Sequence, residues 1–247
     1  MKRRASPATK KEIKKRKVSG SSTYGTVPRT RGVYAIGEHK YFDQNIEVNP
    51  FPSSSSWTNT MVEDPTVKTL FAPSQGAAIN QRIGREVDIH KIRINGNITM
   101  DPDSAVTAGV GAELLRLALV VDTQTNATQM TGNQLYNNGS TTAYWQNFQN
   151  LDNFGRFRVL KDKLIILEDP NLGSSAVAGT EYRNGKSRTF KWTISFKKPL
   201  RVRFNGTNGG TIADIVDNSI HLVGNSTSVP GSNLRLQYAS RIVYCDA

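Results

Sequence analysis

Short segments of alternating apolar and polar residues run through most of this chain. The clearest is TFKWTISFK, residues 189–197, which is rich in β-branched and aromatic side chains. Because successive side chains of a β-strand point to opposite faces, a repeat of two residues predicts a strand with one buried face. The apolar face carries Phe190, Trp192, Ile194 and Phe196, and the polar face carries Lys191, Thr193, Ser195 and Lys197.

A break follows this strand at KKP, residues 197–199. Leu200, Val202 and Phe204 then alternate with arginines, and Asn205-Gly206 provides a turn signal. We therefore predict a hairpin in which residues 189–197 and 200–204 form two separate strands.

Six further segments show the same alternation. In residues 86–98 the apolar phase changes at His90-Lys91, as a β-bulge would cause. No segment of ten or more residues has a convincing helical period. The additional predicted strands are 41–48, 86–98, 113–122, 156–167, 218–224 and 233–244.

These segments make eight predicted strands, separated by long loops at about 49–85, 123–155, 168–187 and 205–217. Antiparallel strands joined by such loops favour two packed sheets over a compact barrel. The predicted fold is all-β: a single eight-stranded antiparallel jelly roll.

Charge divides the chain unevenly. The 247 residues carry a formal net charge of +12, but residues 1–31 hold eleven Lys and Arg against Glu12 alone, so that segment is +10 and the rest is +2. Few apolar residues accompany these cations, so burial cannot offset the entropy of ordering them. We predict a disordered basic arm over residues 1–31 and a jelly-roll domain over 32–247.

Candidate enzyme chemistry is sparse. The one cysteine, Cys245, cannot form a disulfide framework, and the three histidines, His39, His90 and His221, include no His-x-His pair. Asp101 and Asp103 form an acidic turn that could hold calcium, although a solvated loop is the simpler interpretation. We expect no catalytic residues, metal or cofactor, and the longest apolar run is too short for a membrane span.

The arm has the composition of a nucleic-acid ligand, because mobile cations bind phosphates without fixed geometry. KKRKV, Lys14 to Val18, also has the form of a monopartite nuclear import signal: Lys14, Lys15, Arg16, Lys17, Val18. A solvated charge run is the alternative. The predicted nucleic-acid contacts in the arm are Lys2, Arg3, Arg4, Lys10, Lys11, Lys14, Lys15, Arg16, Lys17, Arg29 and Arg31.

A second basic cluster lies in the predicted hairpin, between residues 183 and 203. Lys191, Lys197, Arg201 and Arg203 should share its polar face, as a polyanion-binding surface or as an ordinary solvated face. The sequence does not decide whether this face points inward or outward in an assembly.

Several stretches together resemble the coat proteins of small circular single-stranded DNA viruses that encode a replication initiator (Rep), a group that includes circoviruses and geminiviruses. The resemblance lies in the order of the motifs, and the arm is rich in Lys where circoviruses favour Arg. The stretches are GEHKYFD (37–43), RIGREVDIHKIRINGNI (82–98), LRLALVVDTQTN (115–126), FGRFRVLKDK (154–163) and RIVYCDA (241–247).

The resemblance implies a capsid protein that assembles into an icosahedral homo-oligomeric shell, commonly of about sixty copies. It further implies arms turned inward on a single-stranded DNA genome, contact with a host nuclear import receptor, and location in the virion and the host nucleus; the host cell-surface receptor stays unknown. The alternatives are a satellite-virus-like capsid that packages RNA, a non-viral nucleic-acid-binding regulator, and a jelly-roll enzyme or lectin for which no site is identified.

Two loops carry aromatic residues that an isolated subunit would gain little from exposing: VNPFPSSSSW (48–57) and YWQNF (144–148). One interpretation places these aromatics at subunit interfaces. The other folds each loop back onto its own core.

Overall fold

A computed structural model describes residues 38–53, 57–100, 112–136, 147–168, 186–227 and 234–247. Within them the chain is nearly all β, with eight strands and only short helices. The strands are β1 (Lys40–Val48), β2 (Glu86–Met100), β3 (Ala112–Asp122), β4 (Phe157–Glu168), β5 (Lys186–Phe204), β6 (Ile215–Asp217), β7 (Ser219–Ser226) and β8 (Leu234–Asp246). The helices are α1 (Gly132–Leu135) and the 3-10 turns Leu151–Asn153 and Ile212–Asp214.

The strands form two antiparallel sheets. Sheet A has the order β1-β8-β2-β5-β6, and sheet B has the order β4-β3-β7. An irregular segment between β1 and β2 extends sheet B beyond β7, where the Val62 amide donates to the Leu222 carbonyl and the Leu70 amide to the Ile220 carbonyl. Because β8 lies between β1 and β2, chain order and sheet order differ as in a jelly roll, which confirms the predicted fold class.

The main core lies between the sheets and is built from the apolar faces that the alternation predicts. Leu115, Leu117, Leu119 and Val121 of β3 are fully buried there. From sheet A, β8 contributes Leu234, Leu236, Tyr238, Ile242 and Tyr244.

A second cluster covers the outer face of sheet B. The residues near α1 pack there against β3 and β7, and Trp57 and Tyr136 stack with ring centroids 4.4 Å apart. Arg116 lies 4.1 Å from the Tyr136 ring centroid and forms a bidentate pair with Asp162 at 3.0 and 2.6 Å. The cluster comprises Trp57, Ala118, Val120, Met130, Leu135, Tyr136, Phe157 and Val223.

The predicted hairpin in the 189–204 region is wrong. β5 is one strand, and both of its halves pair with β2: Ser195 opposes Lys91, and Leu200 opposes Ile89. Residues 196–199 form an enlarged bulge, with four residues opposite His90. Pro199 lies in this bulge and therefore needs no ladder hydrogen bond. The break at KKP therefore bends the strand without reversing it.

The phase change predicted in β2 is confirmed. The register with both β5 and β8 shifts between Ile89 and Lys91. His90 and Lys91 are consequently both half-buried, between the fully buried Ile89 and Ile92.

The interface interpretation of loop 48–57 is wrong for its two aromatics. Phe51 is 2% exposed and Trp57 is 0% exposed, so the loop folds onto its own core. In the other loop, Phe148 is 87% exposed. Tyr144 and Trp145 lie outside the described residues.

Candidate nucleic-acid interface and a His–Cys cluster

The predicted arm lies outside the described residues, with all of its proposed contacts from Lys2 to Arg31. The phosphate-binding and import interpretations of that segment therefore stay predictions. The acidic turn at Asp101 and Asp103 also lies outside the described part of the chain.

The four body cations share one exposed face of β5, as the alternation predicts. Lys191, Lys197, Arg201 and Arg203 all point away from the core, on the outer face of sheet A. Lys197 and Arg201 are four positions apart, an even offset, so they stay on the same face across the bulge at 196–199.

Carboxylates engage two of these cations. Arg201 donates to both oxygens of Asp88, at 3.0 and 3.1 Å, and to Glu86 Oε2 at 3.1 Å. The Nε of Arg203 donates to Asp217 Oδ2 at 2.6 Å. Hydrogen bonds to Asp88 and Asp217 raise the pKa values of Arg201 and Arg203 respectively, so both guanidinium groups stay charged within ion pairs.

Sequence inspection missed these partners because the carboxylates are remote along the chain. Glu86 and Asp88 lie on β2 and reach β5 through strand register, and Asp217 lies on β6. Within the described ranges, neither Lys191 nor Lys197 has an ion-pair partner. The net positive charge available on this strand face is therefore that of the lysines.

A depression on sheet A lies beside Lys191 and has a volume of about 880 Å³. Its floor is amide-rich, because Asn45, Asn95, Asn97 and Gln237 line it on neighbouring strands. The amides can donate hydrogen bonds to polar ligands such as nucleotides and accept hydrogen bonds from them, and the lysine can donate.

A serine, a histidine and a carboxylate are hydrogen-bonded in series on the outer face of sheet B, the face that the second cluster covers. His221 Nε2 lies 2.7 Å from Ser219 Oγ, and His221 Nδ1 lies 2.9 Å from Glu63 Oε1. Glu63 also accepts from the Leu222 amide and from Gln129. Such an order is that of a nucleophile, base and orienting acid.

Burial argues against a hydrolytic role for this series. Ser219 is 1% exposed, His221 is 0% exposed and Glu63 is 6% exposed, so a substrate carbonyl could not reach the hydroxyl. Both ring nitrogens of His221 are satisfied within the chain. The series anchors the loop that carries Glu63 to β7.

A His–Cys cluster, His39, His90 and Cys245, forms on the outer face of sheet A. Cys245 Sγ lies 3.3 Å from His39 Nδ1, and the rings of His39 and His90 meet edge to face with centroids 5.5 Å apart. The ligand atoms of all three side chains lie within 4.8 Å of one another. Sequence spacing gave no signal of this cluster, because its members lie next to β1, in the β2 bulge and near the end of β8.

The surroundings of Cys245 favour its neutral thiol. Burial raises the pKa of the Cys245 thiol, and the charges of Asp246 and Asp88 raise it further. Lys40, itself buried, pairs with Asp246 at 2.8 Å, and its amine also donates to the Gln81 carbonyl.

Among the described residues, no helix is long and apolar enough to cross a membrane.

Comparisons with known proteins do not identify a family. No family model matches the chain, and no curated protein matches it. The crystal structure of dimeric latent PorU from Porphyromonas gingivalis overlaps 86% of this chain and 14% of that chain, with 12% identity and a TM-score of 0.31. The chain thus spans about a seventh of that protein's length. So low a TM-score carries no argument about function.

Proposed function

We propose that this chain is the subunit of a small icosahedral capsid that packages single-stranded DNA through residues 1–31. The observation that carries the proposal is the division of charge. The segment 1–31 holds +10 of the net +12, and a nearly neutral all-β body follows it. A subunit of this kind can bind phosphates with one part and pack against copies of itself with the other.

The body supports this division because three arginines on the outer face of sheet A already form ion pairs with carboxylates. Arg201, Arg203 and Arg241 each bind a carboxylate on sheet A. These pairs offset three arginine charges that would otherwise repel a second subunit. Phosphate binding is then assigned mainly to the basic segment, with Lys191 and Lys197 as secondary contacts.

Exposed apolar side chains supply candidate contacts between subunits. Phe148, Leu151 and Phe154 are 87%, 83% and 62% exposed. All three lie in residues 148–154, shortly before β4. Ile79 and Ile83, before β2, are 58% and 61% exposed. Clustered apolar surface of this kind is typical of sites that other proteins cover.

The positive charge available to bind the genome increases with the number of subunits in the shell. In a shell of about sixty copies, the basic segments would contribute roughly 600 positive charges against one negative charge per nucleotide. If each segment neutralises about six phosphates, the salt slope for single strands is about −4, and affinity falls roughly 300-fold between about 50 and 200 mM salt.

Nuclear import belongs to the same proposal. Lys14, Lys15, Arg16 and Lys17 with Val18 would be read by a host import receptor before assembly, and the same cations would then bind the genome. One segment can bind these two partners in turn, because both recognise charge and short linear sequence.

The test is to express the full chain and three variants, then examine particles by negative-stain microscopy after DNase and RNase treatment. One variant lacks residues 1–31, and a second changes Lys10, Lys11, Lys14, Lys15, Arg16 and Lys17 to Gln. The matched control changes Lys161 and Lys163 to Gln, which removes two exposed charges of β4 that the proposal does not assign to phosphate binding.

We expect the parent to form uniform shells that protect single-stranded DNA. Both segment variants should fold, as judged by circular dichroism, and should lose most of the protected nucleic acid. The control should retain most of it. Protected RNA in place of DNA would favour the satellite-virus-like alternative, and a stable monomer at high concentration and moderate salt would contradict the capsid proposal.

A further inference from the structure

The His–Cys cluster brings together donor atoms from three adjacent strands of sheet A. His39 immediately precedes β1, His90 lies in β2, and Cys245 lies near the end of β8, which pairs with both other strands. The 3.3 Å separation of Cys245 Sγ and His39 Nδ1 is already close to that between two ligands of one metal ion. In a tetrahedral zinc site, bonds of about 2.3 Å to sulfur and 2.0–2.1 Å to nitrogen place the two atoms about 3.5 Å apart.

His90 lies at the bulge in β2, next to the end of β8. Asp88 opposes Cys245 and Lys91 opposes Val243, so His90 is the residue left without a Cα partner on β8. The imidazole lies on the outer face of the sheet, beside Cys245. A regular strand would bring Lys91 to an inward position.

The types of ligand atom in the cluster indicate which metal ions it would bind. One thiolate and two imidazoles suit a borderline-soft ion such as Zn²⁺, whereas Ca²⁺ and Mg²⁺ prefer oxygen ligands.

We propose that His39, His90 and Cys245 form a Zn²⁺-binding site that clips together β1, β8 and β2. Three protein ligands leave the fourth tetrahedral position for water, on the side where His39 is exposed. Because β1 is an edge strand whose only neighbour in sheet A is β8, coordination through His39 adds a further attachment for that edge. The site is independent of residues 1–31 and of the capsid proposal.

The test uses the untagged full chain, stripped of metal with a chelator and freed of nucleic acid. Zn²⁺ binding is followed by calorimetry and by thermal unfolding, and Co²⁺ replaces Zn²⁺ for absorption spectroscopy. The variants are His39→Gln, which changes an exposed side chain, and Cys245→Ser. The matched control is Glu38→Gln, which alters an exposed residue adjacent to the site without removing a ligand.

We expect the parent and Glu38→Gln to bind one Zn²⁺ per chain. At free zinc about 100 times the Kd, Tm should rise by roughly 5–10 °C. The Co²⁺ form should show thiolate-to-metal charge transfer. His39→Gln and Cys245→Ser should bind Zn²⁺ more than about 100-fold more weakly than the parent. That loss exceeds the roughly 10–100-fold expected when a residue only hydrogen-bonds to a metal ligand. Cys245→Ser should also lose the charge-transfer band of the Co²⁺ form.

The metal-free Tm of each variant shows whether it folds. If zinc leaves the Tm of the parent unchanged, or if His39→Gln binds zinc as tightly as Glu38→Gln, the cluster is only a hydrogen-bonded packing contact and the proposal is overturned.

Discussion

Asp214 illustrates how a single buried carboxylate organises the turn after β5. It is 3% exposed and accepts a hydrogen bond from the Thr211 amide at 3.1 Å and another from the Thr207 hydroxyl. Burial by itself would raise the pKa of Asp214, but hydrogen bonds from Thr207, Thr211, Gly209 and Gly210 outweigh burial and hold the pKa below its usual 3.8. The ionised form is therefore the one that the fold stabilises.

A pH dependence follows for Asp214→Asn. A carboxylate with a lowered pKa in the folded state stabilises the fold above its unfolded pKa and loses that contribution as pH falls through the folded value. We expect the substitution to reduce the free energy of unfolding by about 1–3 kcal/mol at neutral pH. The difference from the parent should shrink as the pH falls below 3.8, the usual pKa of the carboxyl, toward the lower pKa of the folded state.

Urea unfolding at several pH values measures this difference, with Asp152→Asn as the control at an exposed carboxylate. A difference that stays constant between pH 7 and about pH 3 would mean that ionisation of Asp214 does not contribute.

At the scale of elements, sequence periodicity predicts which side chains of a strand face the core between the sheets. β3 and β8 match their predicted phases there, although the opposite face of β3 is also buried, under the second cluster. β5 does not match in extent, because periodicity records which face is buried and carries no information on whether a chain reverses at KKP. Pairing of both halves with β2 decides that question.

The candidate site shows the same limit. Alternation correctly places Lys191, Lys197, Arg201 and Arg203 on one exposed face. The carboxylates that pair with the arginines, and the meeting of His39, His90 and Cys245, depend on register between strands distant in sequence. A one-residue change of register would separate these groups, so local pattern alone could not reveal them.

The ladder between β2 and β5 contains a testable contact between a glycine and an aromatic ring. Gly96 opposes Phe190, and a Cβ at Gly96 would lie 2.4 Å from the Cε1 and Cζ atoms of that ring. Phe190 is 6% exposed and lies beside Trp192, with ring centroids 5.1 Å apart, so it has little room to move. We expect Gly96→Ala to destabilise the fold by about 1–3 kcal/mol.

Gly155→Ala is the control, because a Cβ there meets nothing within 4 Å. Its effect on the free energy of unfolding should stay within about 0.5 kcal/mol. Thermal or denaturant unfolding of both variants makes the comparison. Equal stabilities would show that the Phe190 ring relaxes without cost.

At the scale of the whole molecule, the exposed aromatics before β4 should act in assembly and not in folding. We expect Phe148→Ser combined with Phe154→Ser to leave the Tm of the unassembled chain nearly unchanged, since both side chains are mostly exposed. Shell yield should fall several-fold, because apolar anchors dominate interface energy. Size exclusion and negative-stain microscopy measure that yield.

Val216→Ser is the matched control, since it removes an apolar side chain that is 39% exposed on β6, away from that segment. Undiminished shell yield from the double variant would remove residues 148–154 from the proposed interface.

The position of β8 has a consequence during translation. Sheet A cannot close until β8 has left the ribosome, because β8 is the strand that joins β1 to β2. At about 5–20 residues per second, the cationic residues 1–31 emerge roughly 10–40 s before β8 does. For that interval the charge of residues 1–31 has left the ribosome while the body cannot yet pack, so under the capsid proposal first encounters with polyanions would precede assembly of the subunits.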